Sequence, residues 1–161
     1  AKRLARMAEN LERTGVAADL VQGDLRTWDA PAPAAAVLLD APCSATGIFR
    51  RHPDVLHRVT PAHLLQLAAL QTTLLDGAER RVMPGGTLVY ATCSLERAEG
   101  EDQATAFLAR HPGWTIDPVR PDELPPGIVT SEAGWVRTLP MMLADVGGLD
   151  GFFMVRLRAP A

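Results

Sequence analysis

At 161 residues the chain is long enough for one domain and too short for two of ordinary size. Its hydrophobic share of 47% and charged share of 22% belong to a globular protein, and no apolar run approaches the ~20 residues that cross a bilayer. The 16 Lys and Arg against 19 Asp and Glu leave a formal net charge of −3, unlike a dedicated nucleic-acid-binding module, which is usually basic.

Basic residues nevertheless gather in two places, AKRLAR and FRRHPDVLHR, which hold Lys2, Arg3, Arg6, Arg50, Arg51 and Arg58. In the first segment Leu4, Met7, Ala8 and Leu11 fall at helical spacing, and Gly15 is a suitable stop. The segment is charged and amphipathic without a cleavable apolar core, so no secretion signal is read there. AADLVQGD reads as a short strand ending at Gly23 and Asp24. A Pro/Ala loop leads to AVLLD, a second strand. Its apolar run is continuous, as in a strand covered on both faces of a parallel sheet. A loop then runs to Thr60, which as N-cap, with Pro61 behind it, opens a long helix through PAHLLQLAALQTTLLDGAERRVM. Pro84, Gly85 and Gly86 break that helix, and TLVYAT is the third strand. A helix through EGEDQATAFLAR follows. The remainder is looser, with a final strand GFFMVRLR. This order of helices and strands predicts an α/β sheet of the doubly wound kind, whose ligands bind outside the carboxyl ends of the strands. Asp24, Asp40, Cys43 and Cys93 all lie just past those ends, where one crevice could hold them.

The only two cysteines, Cys43 and Cys93, occupy matching positions, each just beyond an apolar strand and each followed by a serine. Free cysteine is commonly a packing residue, but both stand in loop contexts where a thiol can meet a ligand. Two cysteines make no disulfide scaffold, and a reducing cytoplasm is the default compartment. A zinc site needs about four ligands, whereas C-x-x-C is absent and the four histidines are scattered, so no metal is expected. A covalent nucleophile fits better. An ordinary thiol, pKa ~8.5, is only a few per cent ionised at neutral pH and needs lowering. The helix N-terminus after Cys93 favours thiolate; Glu96, Glu99, Glu101 and Asp102 oppose it.

LLDAPCSATGIFRRHPDV and GGTLVYATCSLERAEGEDQ resemble the two signature motifs of the NOL/NOP/Sun family of RNA cytosine-5 methyltransferases. RRHPD and DGFFMVRL resemble its bacterial Sun branch, which modifies small-subunit ribosomal RNA. The likeness runs from about Lys2 to Leu157. It implies S-adenosylmethionine as methyl donor, RNA as partner with neither metal nor membrane, and a cytoplasmic location. It also implies that Cys93 attacks carbon-6 of cytosine to form a covalent adduct, while Cys43 helps to resolve it. Asp40 would hydrogen-bond the cytosine edge or lie against the cofactor, and Asp24 would contact the cofactor adenine. Pro42 would stiffen the loop beneath the base, and Arg50 and Arg51 would hold flanking phosphates.

The family's glycine-rich loop after its first strand, and the acid after its second, have no counterpart in the sequence. Residues 1–161 are therefore expected to be the later part of a single Rossmann-like methyltransferase catalytic domain. Its mostly parallel sheet would lack the first two strands, and any N-terminal RNA-binding domain would be absent. Alone, the chain is expected to bind S-adenosylmethionine poorly. Two other readings compete: an RNA-binding or ribosome-assembly module that keeps the fold without catalysis, and a thiol redox protein.

Overall fold

A computed structural model describes the backbone from residue 2 and the side chains of residues 4–161; the side chains of Lys2 and Arg3 lie outside the described residues. Helix α1 (Lys2–Thr14) forms where the apolar spacing predicts it and stops at Gly15, whose φ of +66° suits a residue without Cβ. The next segment departs from expectation. AADLVQGD pairs with no strand among the described residues, and Val16, Leu20 and Val21 are exposed. Its β-forming residues lack a backbone partner, and a strand is stable only when its N–H and C=O groups are paired. The chain then turns at Asp24, whose carbonyl accepts from Thr27 N and Trp28 N at 2.9 and 2.6 Å.

Strand β1 (Ala34–Asp40) pairs in parallel with β2 (Val82–Thr92). Between them α3 (Pro61–Glu79) follows a one-turn helix α2 (Val55–Arg58); the Thr60 side chain accepts from His63 N at 3.2 Å. The helix ends earlier than its sequence suggests. Val82 and Met83 already belong to β2, and Pro84, Gly85 and Gly86 form an irregularity inside that strand, where the pairing jumps from Ala34–Val82 to Ala36–Thr87. Helix α4 (Glu101–Arg110) leads to two short strands, β3 (Thr115–Ile116) and β4 (Val136–Thr138), and to β5 (Phe152–Arg158). The order is β1-β2-β5-β3, with β4 also on β5. The α/β class stands. Within the described residues its parallel component is the β1–β2 pair, and every pairing of β5 is antiparallel.

Alternation on the strands sends Leu39, Leu88, Tyr90, Phe153, Val155 and Leu157 into one core with Leu75 and Ala78 of α3 and Ala104 and Phe107 of α4. The opposite face of β1 is open: Leu38 is 70% exposed, so AVLLD is covered on one face and not on two. Among the described residues, the helices that contribute buried side chains to this core are α3 and α4.

Candidate active site at the strand ends

Parallel pairing brings the carboxyl ends of β1 and β2 side by side. Asp40 lies opposite Ala91, and Ala41 N donates to Ala91 O at 3.0 Å. Both chains leave the sheet here, and the Cys43 and Cys93 sulfurs meet at 3.4 Å as free, partly buried thiols. The loop after β1 is locked onto the loop after β2. Gly47 N donates to Cys93 O at 3.0 Å, Leu95 N to Thr46 Oγ1 at 2.9 Å, and Gly151 N to Gly47 O at 2.8 Å. A Cβ on Gly47 would lie 2.9 Å from the Cys93 carbonyl oxygen and nearer still to that of Gly151. Only glycine fits there.

The two thiols differ in acidity. The hydrogen bond from the Cys43 S–H, outweighing burial and the nearby carboxylates of Asp40 and Glu99, pulls Cys93 down to about 7. The same bond, with burial and the adjacent Cys93 charge behind it, pushes Cys43 up. Cys93 is thus the more acidic of the two thiols, and its thiolate would accept the Cys43 S–H.

Beneath them lies Glu99, fully buried. Its carboxylate accepts from Ser44 N at 2.9 Å, Ser44 Oγ at 2.5 Å, Ser94 Oγ at 2.6 Å and Gln71 Nε2 at 3.0 Å. Its backbone carbonyl accepts from Tyr90 OH at 2.7 Å and Thr92 Oγ1 at 3.1 Å. Behind the second loop, Arg137 of β4 forks onto Glu101 with two bonds of 2.7 Å and donates to Ser94 O at 2.8 Å.

The other residues singled out by the sequence fall into place unevenly. Asp40 is exposed at the end of β1, and its side chain has no hydrogen-bond or ion-pair partner among the described residues. Pro42 is exposed above Gln71, whose Nε2 donates to its carbonyl at 2.9 Å. Arg50 is exposed and makes no ion pair among the described residues, whereas Arg51 is forked onto Asp150, just ahead of β5. Asp24 is held apart from this group. Both its oxygens take the Arg26 guanidinium, which holds its carboxyl at about 2, and no described contact joins it to Asp40, Cys43 or Cys93. A concavity of about 610 Å³ beside it, lined by Arg26, Trp28, Arg80 and Arg81 among others, contains none of the thiol-site residues. No group of three or more His, Cys, Asp or Glu suited to a metal occurs among the described residues.

Sequence reasoning missed Glu99 as a structural centre and read it only as an adverse charge; it passed over Ser44, Ser94, Gln71 and Arg137. The available signal was the repeated Cys-Ser pair: two hydroxyls at the same strand end need a shared acceptor.

This sheet with its strand-end site has the Rossmann-like α/β fold of methyltransferases. NSun6 from Pyrococcus horikoshii, solved with SFG, superimposes with a TM-score of 0.79 at 28% identity, covering 99% of this chain and 39% of that one. A methyltransferase homolog protein from the same organism gives 0.74 at 28% identity, covering 98% and 50%. The family model for 16S rRNA methyltransferase RsmB/F matches residues 1–158, and the chain belongs to that family. It is 43% identical over 162 aligned positions to ribosomal RNA small subunit methyltransferase B of Pseudomonas syringae pv. tomato, covering 98% of this chain and 35% of that protein. For the protein of that name from Xylella fastidiosa the identity is 45%, with 97% and 35% covered. The chain spans about a third of the length of these curated relatives.

Proposed function

We propose that residues 1–161 form the thiol-bearing C-terminal part of the catalytic domain of an S-adenosylmethionine-dependent RNA methyltransferase. Its product is 5-methylcytosine in small-subunit ribosomal RNA, made in the cytoplasm through a covalent cysteine–cytosine adduct. The observation that carries this reading is the 3.4 Å approach of two thiols of unlike acidity at the carboxyl ends of parallel strands. Family membership and the names of the relatives support ribosomal RNA as substrate.

Carbon-5 of cytosine is too weak a nucleophile to take a methyl group unaided. The Cys93 thiolate adds to carbon-6, forming the C–S bond while the electron pair of the ring double bond makes carbon-5 nucleophilic. With its pKa near 7, about half of Cys93 is ionised at neutral pH, against a few per cent for an ordinary thiol. S-adenosylmethionine, when bound, supplies the electrophilic methyl group. Once carbon-5 is methylated, its proton passes to water, the C–S bond breaks, the double bond returns, and Cys93 leaves as thiolate. The Cys43 thiol hydrogen-bonds the departing sulfur as it does in the free protein and, unlike a serine hydroxyl, is acidic enough to exchange a proton while the adduct resolves.

Asp40, exposed and unpaired, accepts from the cytosine amino edge or lies against the cofactor, so the described residues fit the cofactor there. Asp24 fits on one condition: it accepts a cofactor hydroxyl or amine only by sharing or releasing Arg26. Pro42 stiffens the loop under the base, and Arg50 and Arg51 hold flanking phosphates, with Arg51 shared with Asp150. Such contacts offset the few kcal/mol that extruding a base costs. The test is incubation of the full-length protein with methyl donor and small-subunit ribosomal RNA. Cys93→Ser should abolish the covalent adduct and Cys43→Ser should accumulate one. An adduct that persists in Cys93→Ser overturns the assignment.

A further inference from the structure

We propose that Glu99 is the positioning residue of this site: its buried carboxylate ties the loop after β1 to the loop after β2 and so holds the two sulfurs against one another. Its part in methyl transfer rests on the function proposed above. The clamp itself rests on geometry.

Four donors converge on one carboxylate with no access to water, and they come from three elements. Ser44, next to Cys43, gives its N–H and its hydroxyl at 2.9 and 2.5 Å. Ser94, next to Cys93, gives its hydroxyl at 2.6 Å, and Gln71 of α3 gives its amide at 3.0 Å. Gln71 also holds Pro42 O at 2.9 Å, which fixes the first loop a second time. The two serine hydroxyls, each on the residue after a cysteine, lie 3.2 Å apart across the junction. A buried carboxylate is costly unless hydrogen-bonded, and here the bonds that satisfy it span both loops. The donors need the acid as much as the acid needs them. Without it, Ser44 N–H has no other acceptor among the described residues, and nothing else buried bridges both serines to α3.

Glu99 faces the thiol pair together with Asp40, while Tyr90 OH and Thr92 Oγ1 are turned to its carbonyl and not to the sulfurs. As a mere charge, Glu99 opposes thiolate formation, so deleting it would make Cys93 more acidic. As a clamp it does the opposite. It keeps the Cys43 S–H on Cys93, which is the largest influence on the Cys93 thiol, and deleting it would make Cys93 less acidic.

Opposite signs make the experiment decisive. The rate of iodoacetamide alkylation of Cys93, mapped by peptide mass spectrometry on the full chain, is followed from pH 5 to 10 in Glu99→Ala, Glu99→Asp and Glu99→Gln. In Glu99→Ala the loops part and the midpoint climbs toward the ~8.5 of a free thiol, so alkylation at pH 7 falls roughly 15-fold while the plateau at high pH is kept. Glu99→Asp keeps the charge but is one methylene too short to reach both loops, and it should move the midpoint the same way. In Glu99→Gln the amide reaches the same hydroxyls, which can turn to accept, so the midpoint rises less than in either. A downward midpoint common to Ala and Gln, or an unmoved midpoint in Asp, overturns the proposal. Should Glu99→Ala fail to fold by circular dichroism, the Asp variant decides alone. Alkylation needs neither RNA nor methyl donor, so the clamp is read whether or not methyl transfer occurs.

Discussion

Replacing Arg137 by Met should destabilise the fold by about 3–5 kcal/mol at pH 7, the range for stranding one member of a buried ion pair. The size follows from what the guanidinium holds. It makes two bonds of 2.7 Å to Glu101, whose side chain is 11% exposed, and one of 2.8 Å to Ser94 O, and it lies 5.3 Å above the Phe153 ring. Methionine keeps the stem and the packing on Phe153 but leaves Glu101 charged and alone. The pH dependence has a definite sign. Burial alone would raise the Glu101 pKa; the Arg137 bonds, with smaller help, outweigh it and hold the carboxyl below its ordinary value. A depressed carboxylate pKa stabilises above the unfolded value and loses that contribution as pH falls through the folded one. In Arg137→Met burial is opposed only by the Glu101 backbone bond and the weaker pull of Arg97, so the pKa rises and protonation relieves the stranded charge. Urea unfolding at pH 7 and pH 4 should therefore show a large deficit that shrinks on acidification, and Arg137→Met with Glu101→Met should recover much of it. A deficit under 1 kcal/mol, or one independent of pH, refutes the reasoning.

Gly47→Ala should cost at least ~2 kcal/mol and lower the melting temperature, because the new Cβ meets two backbone carbonyls that cannot swing aside. Retention of the wild-type melting temperature would mean that the two loops are not locked as described. Arg50→Ala should leave stability unchanged, and Arg51→Ala should lower it only slightly, because its pair with Asp150 leaves the arginine 57% exposed. If each holds a phosphate, each substitution should reduce the salt slope of RNA binding by about 1, measured by filter binding across salt concentrations.

Much of the site was legible because its cues are local. An apolar run that ends in Asp-Ala-Pro-Cys or Thr-Cys-Ser marks a strand end from composition alone, and Thr60-Pro61 marks a helix start whose cap bond is present. AADLVQGD misled for the opposite reason. Strand propensity is a weak preference until a neighbouring backbone satisfies it, and that partner is not encoded within the segment. The covering of β1 was misjudged likewise, since a continuous apolar run does not say which face a helix will occupy. Asp24 looked like a ligand-binding acid at a strand end, yet Arg26 two residues on takes both its oxygens; the D-x-R spacing was there to be read. Glu99 could not be assigned by any local rule. Its meaning depends on Ser44, which is remote in sequence and adjacent only because two strands run the same way.

Strand direction, then, is the physical origin of the thiol pair. In a parallel pair both chains leave the sheet at the same end, and residues a short count beyond each end meet. Were β1 reversed against β2, the loop bearing Cys43 would leave from the far end of a 7-residue strand, about 23 Å away at ~3.3 Å per residue. The antiparallel β5 reaches the same place by the complementary route. Running opposite to β2, it contributes the residues before its start: Asp150, which takes Arg51, and Gly151, which donates to Gly47 O. The carboxyl ends of the parallel strands and the amino end of the antiparallel one therefore share one edge of the sheet. This explains how DGFF, late in the sequence and without a thiol of its own, belongs to the same site as the two cysteine motifs.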